Sequence, residues 1–146
     1  MDRVPLLIPI GGPLAGNRYQ VPEGDGIYIG RSDECEIAIP DPEISRQHAK
    51  VTLHNAGIWV QDAGSRNGVF INEKRVVRPT ELKAGAKLTV GEHEFTLELA
   101  EVDEDDPSVI RPVAGAINTK SSKNVFLPVI VVLIILGLMS YFALGN

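Results

Sequence analysis

The sequence predicts a small antiparallel all-β domain over residues 3 to 100. Short runs of alternating apolar and polar residues fill this region, as expected of strands that bury one face. Glycine, proline, asparagine or aspartate interrupts the runs roughly every eight to twelve residues, which is the spacing of turns in a β-sandwich. The region shows no helical periodicity, so strands are predicted throughout.

Ten runs are predicted as strands, in the order RVPLLIPI, NRYQV, GIYIG, CEIAI, HAKVTLHN, IWVQDA, GVFIN, KRVV, KLTVG and HEFTLEL. The sequence GGPLAG at residues 11–16 has no following Gly-Lys-Ser/Thr and is predicted as a hairpin turn rather than a phosphate loop. Turns are also predicted at NAG (55–57), SRNG (65–68) and KAGA (83–86).

The composition changes after residue 100. An acidic run is followed by proline, serine, alanine and glycine with few large apolar residues, which predicts a flexible linker over 101–124. The next segment, 125–144, has no charge and is strongly apolar. A helix of about 20 residues spans roughly 30 Å, the thickness of a bilayer core, so the sequence predicts one transmembrane helix in contact with membrane lipid.

Lys120 and Lys123 precede this predicted helix, and no positive charge follows it. Positive residues favour the cytoplasmic side of a membrane. The expected arrangement is therefore a single-pass membrane protein with a C-terminal anchor and a cytoplasmic β-domain.

The charge and the cysteine content exclude several classes of function. The formal net charge is -5, with five acidic residues between 101 and 106, which argues against binding of a nucleic-acid backbone. One cysteine, Cys35, allows no internal disulfide, and together with three scattered histidines it provides no convincing zinc site. We therefore expect neither a metal nor a nucleic-acid partner.

Catalysis has only weak support in the sequence. The nearest candidate is a cluster of Asp41, Glu43, Ser45 and His48, which could supply an acid, a base and a nucleophile. These residues lie within a predicted turn, and no known catalytic motif accompanies them. A binding protein is therefore predicted rather than an enzyme.

Three short polar groups occupy strand ends: Gly30-Arg31, the SRQH sequence at 45–48, and the SRNG sequence at 65–68. Loops at one end of a β-sandwich converge in space although they are distant in sequence. Convergence would bring three arginines together with a serine hydroxyl, and their mutual repulsion would be offset by an anion. Phosphate fits because guanidinium groups pair with its oxygens in a fork.

The sequence from IGRSDECEIAIPDPEISRQHAKV to VQDAGSRNGVFIN, residues 29–72, closely resembles the forkhead-associated domain. That family is marked by Gly-Arg, then Ser-x-x-His, then Asp-x-x-Ser-x-Asn-Gly with a further Asn, and the order and spacing match. The resemblance covers roughly residues 3–100. It implies a sandwich of about eleven antiparallel strands that binds phosphothreonine peptides through loops at one end, without a cofactor.

The resemblance also implies roles for individual residues. Arg31 and Ser45 would contact the phosphate, Arg46 and Arg66 would line or assist the pocket, and Asn67 would hold the peptide main chain. The remaining matched positions would support the site: Gly30, His48, Asp62, Ser65, Gly68 and Asn72.

Two functions are therefore expected as alternatives. The first is a membrane-anchored phosphothreonine reader that recruits or holds a partner phosphorylated by a Ser/Thr kinase. The second is a membrane scaffold that uses the same β-sandwich without phosphate. The joint presence of Arg31, Ser45 and Asn67 favours the reader, because a scaffold does not need them.

Overall fold

The computed structural model describes residues 3–112, which form twelve β-strands in two sheets. The first sheet has seven strands in the order β12-β2-β1-β11-β10-β7-β8. Its members are β1 (Val4–Pro9), β2 (Arg18–Gln20), β7 (Val69–Ile71), β8 (Lys74–Arg75), β10 (Lys87–Val90), β11 (His93–Ala100) and β12 (Val109–Ile110).

The second sheet has five strands in the order β4-β3-β5-β6-β9. Its members are β3 (Ile27–Gly30), β4 (Ile37–Ala38), β5 (Ala49–His54), β6 (Gly57–Asp62) and β9 (Thr80–Leu82). The predicted all-β class and sandwich-like arrangement are therefore confirmed.

One apolar core lies between the sheets. Alternate residues of the strands point into it, as the period of a strand requires. The first sheet contributes Leu7, Leu88 and Phe95, and the second contributes Ile29 and Val60, all fully buried. Because both sheets share this core, the strand ends and the loops that follow them have a fixed position.

The arrangement is not purely antiparallel, which corrects the prediction. β3 pairs in parallel with β4, and β12 pairs in parallel with β2. The sequence also did not predict β9 or β12 as strands. Each is short, and β9 has only Leu82 buried, so neither carries a clear alternation.

The domain continues beyond residue 100, where the sequence predicted the linker to begin. The compact unit extends to Pro112, because β12 adds to the edge of the first sheet. An ion pair of 3.3 Å joins Arg18 to Asp106, and Arg111 donates to the main-chain oxygen of Asp103 at 2.6 Å. These contacts attach part of the acidic run to the domain, although its composition predicted a flexible linker.

Residues 3–112 include no helix long and apolar enough to cross a membrane. The predicted transmembrane helix at 125–144, and the part of the predicted linker from residue 113 to 124, lie outside the described residues.

Candidate functional site

The register of the second sheet brings three loops together at one end of the molecule. Ile29, near the end of β3, is opposite Ala49, the first residue of β5, and Ala49 is opposite Asp62, the last residue of β6. The loops that follow β3, precede β5 and follow β6 therefore leave the sheet side by side. The three polar groups of the sequence lie on these loops, so their predicted convergence is observed.

The loops enclose an open cleft of about 620 Å³. Arg31, Arg46 and Arg66 line it, and we call these three exposed residues the guanidinium wall. Within residues 3–112, none of their guanidinium groups is hydrogen bonded or paired with a carboxylate. The remaining lining residues are Ser32, Glu34, Cys35, Ser45, Gln47, Ala63 and Gly64.

Ser45 lies between the loops and is held at each of its polar atoms. Its main-chain oxygen accepts from the Arg31 N–H at 2.9 Å, and its Oγ accepts from the Arg66 N–H at 3.0 Å. The hydroxyl can still donate its own hydrogen. Ser45 is therefore placed to donate a hydrogen bond to an anion in the cleft.

His48 holds Ser45 from behind. Its ring is fully buried, Nδ1 accepts from the Ser45 N–H at 3.1 Å, and Nε2 is 2.8 Å from the Gly68 oxygen. A carbonyl only accepts, so Nε2 carries the hydrogen and the ring is neutral. The imidazole thereby joins the start of β5 in one sheet to the start of β7 in the other.

Asp62, Ser65 and Gly68 form a second set of internal contacts. The Asp62 carboxylate accepts from the N–H of Gly64 at 2.9 Å, the N–H of Ser65 at 2.7 Å and the Ser65 hydroxyl at 2.7 Å. The Ser65 Oγ accepts from the Gly68 N–H at 3.0 Å. Burial opposes ionisation of Asp62, but these hydrogen bonds outweigh it and hold the pKa of Asp62 below its usual value.

Gly68 has a φ of 90°, the positive value that the predicted turn requires. We call His48, Asp62, Ser65 and Gly68 the brace, because their polar groups bond to one another or to the adjoining loops.

Gly30 supports the site through close packing. A Cβ atom at this position would collide with the Arg46 main-chain oxygen and lie 2.9 Å from the Cys35 sulfur. Only glycine lets β3 approach the Arg46 backbone, where Ser32 N–H also donates at 3.1 Å. Burial and then the neighbouring carboxylates of Glu36 and Glu34 raise the pKa of the Cys35 thiol.

Asn67 and Asn72 are not placed together. Asn67 is turned against the loop before β5, where its Nδ2 donates to the Glu43 main-chain oxygen at 2.8 Å. Asn72 lies at the end of β7, and its Oδ1 accepts from the Lys87 N–H at 2.9 Å. Asn72 therefore fixes the start of β10, and the structure does not bring it to the cleft.

The weak catalytic cluster does not form a relay among the described residues. Asp41 accepts from His93 Nε2 at 3.0 Å rather than from His48, and His48 bonds the main chain of Ser45 rather than its hydroxyl. Within 3–112, no group of three His, Cys, Asp or Glu side chains is placed to hold a metal ion.

Sequence reasoning missed several lining residues, of which Ser32, Glu34 and Gln47 are polar. Ser32 follows Arg31 directly and Gln47 lies inside the SRQH sequence. Both could have been predicted to line the cleft from their positions beside residues that match the family motif. Glu34 had no such signal, because the curvature of the loop after β3 is what brings it to the cleft.

Residues 27–91 match the family model described as "FHA domain", which confirms the resemblance to the forkhead-associated family. The FHA domain-containing protein FhaB of Mycolicibacterium smegmatis is 28% identical over 85 residues, which are 58% of this chain and 54% of that protein. The chain thus spans about half the length of this curated relative.

Solved structures show the same fold. The FHA domain of the CT664 protein from Chlamydia trachomatis is 27% identical with a TM-score of 0.61, covering 70% of this chain and all (100%) of that one. Mycobacterium tuberculosis EmbR, solved in complex with a low-affinity phosphopeptide, is 25% identical with a TM-score of 0.60, covering 68% of this chain and 25% of that one.

Proposed function

We propose, on the premise that residues 27–91 carry an FHA domain, that this chain is a membrane-anchored module that binds phosphothreonine peptides of partner proteins. FHA domains are protein-interaction modules that recognise phosphorylated motifs through arginine clusters. In this reading the chain holds a phosphorylated partner at the cytoplasmic face of a membrane, and no chemical step is involved.

The observation that carries the proposal is the guanidinium wall beside the Ser45 hydroxyl. The lining of the cleft contains three guanidinium groups and one carboxylate, that of Glu34, so its net charge is positive. A phosphothreonine carries a charge of about −2 at neutral pH and three acceptor oxygens. It would relieve the repulsion among the arginines and accept charge-assisted hydrogen bonds from them and from Ser45.

Two further observations support the peptide and the membrane parts of the proposal. EmbR, a quarter of which matches the fold of this chain, was solved with a phosphopeptide. The segment 125–144 carries no charge and is preceded by Lys120 and Lys123, the pattern of a membrane anchor with its preceding domain in the cytoplasm.

The deciding experiment is a titration of the full chain, in mild detergent, with a peptide library that has one fixed phosphothreonine and random flanking residues. Matched libraries carry threonine or phosphoserine in its place. We expect saturable binding of the phosphothreonine library, read by fluorescence anisotropy, and none of the threonine library. Equal binding of the two, or binding of neither, would reject the proposal and favour a phosphate-independent scaffold.

The membrane part has its own measurement. Liposome flotation of the full chain should recover it with the vesicles after a wash in alkaline carbonate. Deletion of residues 125–144 should leave it in the soluble fraction. Recovery of both forms in the soluble fraction would reject the membrane anchor. The peptide-binding part of the proposal would still stand.

A further inference from the structure

The Asn67 side chain is oriented by Glu43. Its Nδ2 donates to the Glu43 main-chain oxygen at 2.8 Å and to the Glu43 carboxylate at 3.2 Å. A side-chain amide has two N–H donors, and both are directed at oxygens that only accept. Rotation of the amide by half a turn would place Oδ1 against the same two oxygens and repel it. Oδ1 is therefore the atom of Asn67 that remains for a ligand.

Glu43 is itself fixed in the loop before β5. Its N–H donates to Asp41 Oδ1 at 2.9 Å, and the other carboxylate oxygen of Asp41 lies 3.0 Å from His93 Nε2. The Glu43 N–H, and then the His93 ring, hold the pKa of Asp41 below its usual value, so Asp41 stays ionised near neutral pH. A chain of hydrogen bonds thus runs from β11 through Asp41 and Glu43 to Asn67.

We propose that Glu43 is a positioning residue for peptide binding: it holds Asn67 so that Oδ1 accepts an N–H from the peptide main chain. The inference rests on the proposed function of the cleft. Glu43 does not bind the phosphate, because its carboxylate would repel it. In the opposite role, Glu43 would occupy Asn67 and compete with the peptide. The two roles predict changes of affinity with opposite sign.

The test compares Glu43→Ala with Glu43→Gln in the full chain. Both remove the negative charge, but only glutamine keeps a side-chain oxygen that can accept from Asn67 Nδ2. The probe is the tightest single phosphothreonine peptide from the library. We expect Glu43→Ala to bind it about 3- to 10-fold more weakly than Glu43→Gln, the range for one hydrogen bond. Equal affinity, or tighter binding by Glu43→Ala, would overturn the inference.

Two additional measurements separate positioning of Asn67 from a general loss of loop structure. In an Asn67→Ala background, the alanine and glutamine variants of position 43 should bind the peptide equally, because the group they position is absent. Replacing each peptide amide in turn by an ester removes one N–H. One ester should weaken binding to the wild-type chain several-fold and leave binding to Asn67→Ala unchanged. If no ester position behaves in this way, the proposed contact between Asn67 and the peptide main chain is wrong.

Failure of the proposed function gives a different result. If no library peptide binds the wild-type chain, the phosphopeptide reading fails, and the hydrogen bond is then measured in the free protein. The Asn67 side-chain NH₂ signals in ¹⁵N-resolved NMR spectra should shift in Glu43→Ala and remain near their wild-type positions in Glu43→Gln. Unchanged signals in Glu43→Ala would overturn the positioning role independently of any ligand.

Discussion

The brace and the guanidinium wall arise from the same loops but use their polar groups in opposite ways. In the brace, the His48 ring and the Asp62 carboxylate are bonded to main-chain and hydroxyl groups of the protein. In the wall, the three arginine side chains are exposed and line an open cleft. Polar groups satisfied inside the fold specify the loop conformation, and those left at its surface are available to a ligand.

Ser45 lies between the two regions and is bonded to both, to His48 of the brace and to the main chain of Arg66 of the wall. Its Oγ accepts from the Arg66 N–H within the fold, and its hydroxyl hydrogen remains for the cleft. The comparison therefore makes a clear division: changes in the brace should lower stability and binding together, and changes in the wall should lower binding alone.

The largest expected effect is that of His48→Ala on stability. The substitution opens a cavity and leaves the Ser45 N–H and the Gly68 oxygen without their partners in a buried site. We expect the free energy of unfolding to fall by about 3 kcal/mol, measured by urea denaturation. Peptide binding should weaken in parallel.

His93→Ala is the matched control for His48→Ala. Its ring is partly exposed, and among residues 3–112 it pairs only with Asp41, at 3.0 Å, so its removal should cost less than about 1 kcal/mol. A comparable loss for the two variants would show that the brace has no special role.

Gly30→Ala should be the next most damaging change. The added methyl group would collide with the Arg46 main-chain oxygen, which is held in place because it accepts from the Ser32 N–H. We expect a loss of about 2–3 kcal/mol in urea denaturation. Gly64→Ala is the control, because a Cβ there meets nothing within 4 Å and adds only the strain of a φ of 94°. If Gly30→Ala lowers the free energy of unfolding no more than Gly64→Ala does, the close-packing role of Gly30 is wrong.

The alternating strands could be predicted from the sequence because their signal is local. β5, β6 and β11 lie within one residue of the predicted runs. β9 and β12 could not be predicted, because they depend on partners distant in the chain: β9 pairs with β6, and β12 pairs with β2. The Arg18–Asp106 ion pair, which joins β2 to the segment before β12, is likewise not revealed by an acidic run.

The site shows the same division between local and distant information. Arg31, Ser45 and Arg66 were predicted to converge because they lie near strand ends, and strand register brings those ends together. The orientation of Asn67 towards Glu43 depends on the path of two loops across 24 residues of sequence separation. A motif indicates which residue type is present, but it does not indicate which edge of an amide faces outward.

Arg31→Ala tests the other half of the comparison. Removal of one charge-assisted partner of the phosphate should weaken phosphothreonine-peptide binding by about 1.5–3 kcal/mol, roughly 10- to 150-fold in Kd. The urea midpoint should not change, because the side chain is exposed.

Arg78→Ala is the control for Arg31→Ala, since it removes the same charge from an exposed position outside the lining of the cleft. Equal losses of affinity in the two variants would mean that net charge, and not the guanidinium wall, drives binding. A loss of stability in Arg31→Ala would show that Arg31 stabilises the loops, as the brace residues do.

The smallest effect expected is the pH dependence of Asp62→Asn. The pKa of Asp62 is lowered in the folded state, so the ionised carboxylate stabilises the fold above about pH 4, and this contribution is lost as the pH falls through the folded pKa. Asparagine does not titrate, and its NH₂ cannot accept from Ser65. The variant should therefore be less stable at pH 7, by at most about 1 kcal/mol because the carboxylate is partly exposed and screened by solvent.

This difference in the free energy of unfolding between wild type and Asp62→Asn should narrow below about pH 4. Asp41 and Asp106 also have lowered pKa values, but they are present in both proteins and their effects cancel in the difference. A difference that stays constant from pH 7 to pH 3 would show that Asp62 acts through shape rather than charge. A loss of peptide affinity at pH 7 without a loss of stability would place Asp62 with the ligand-facing groups, and the division between brace and wall would then fail at this residue.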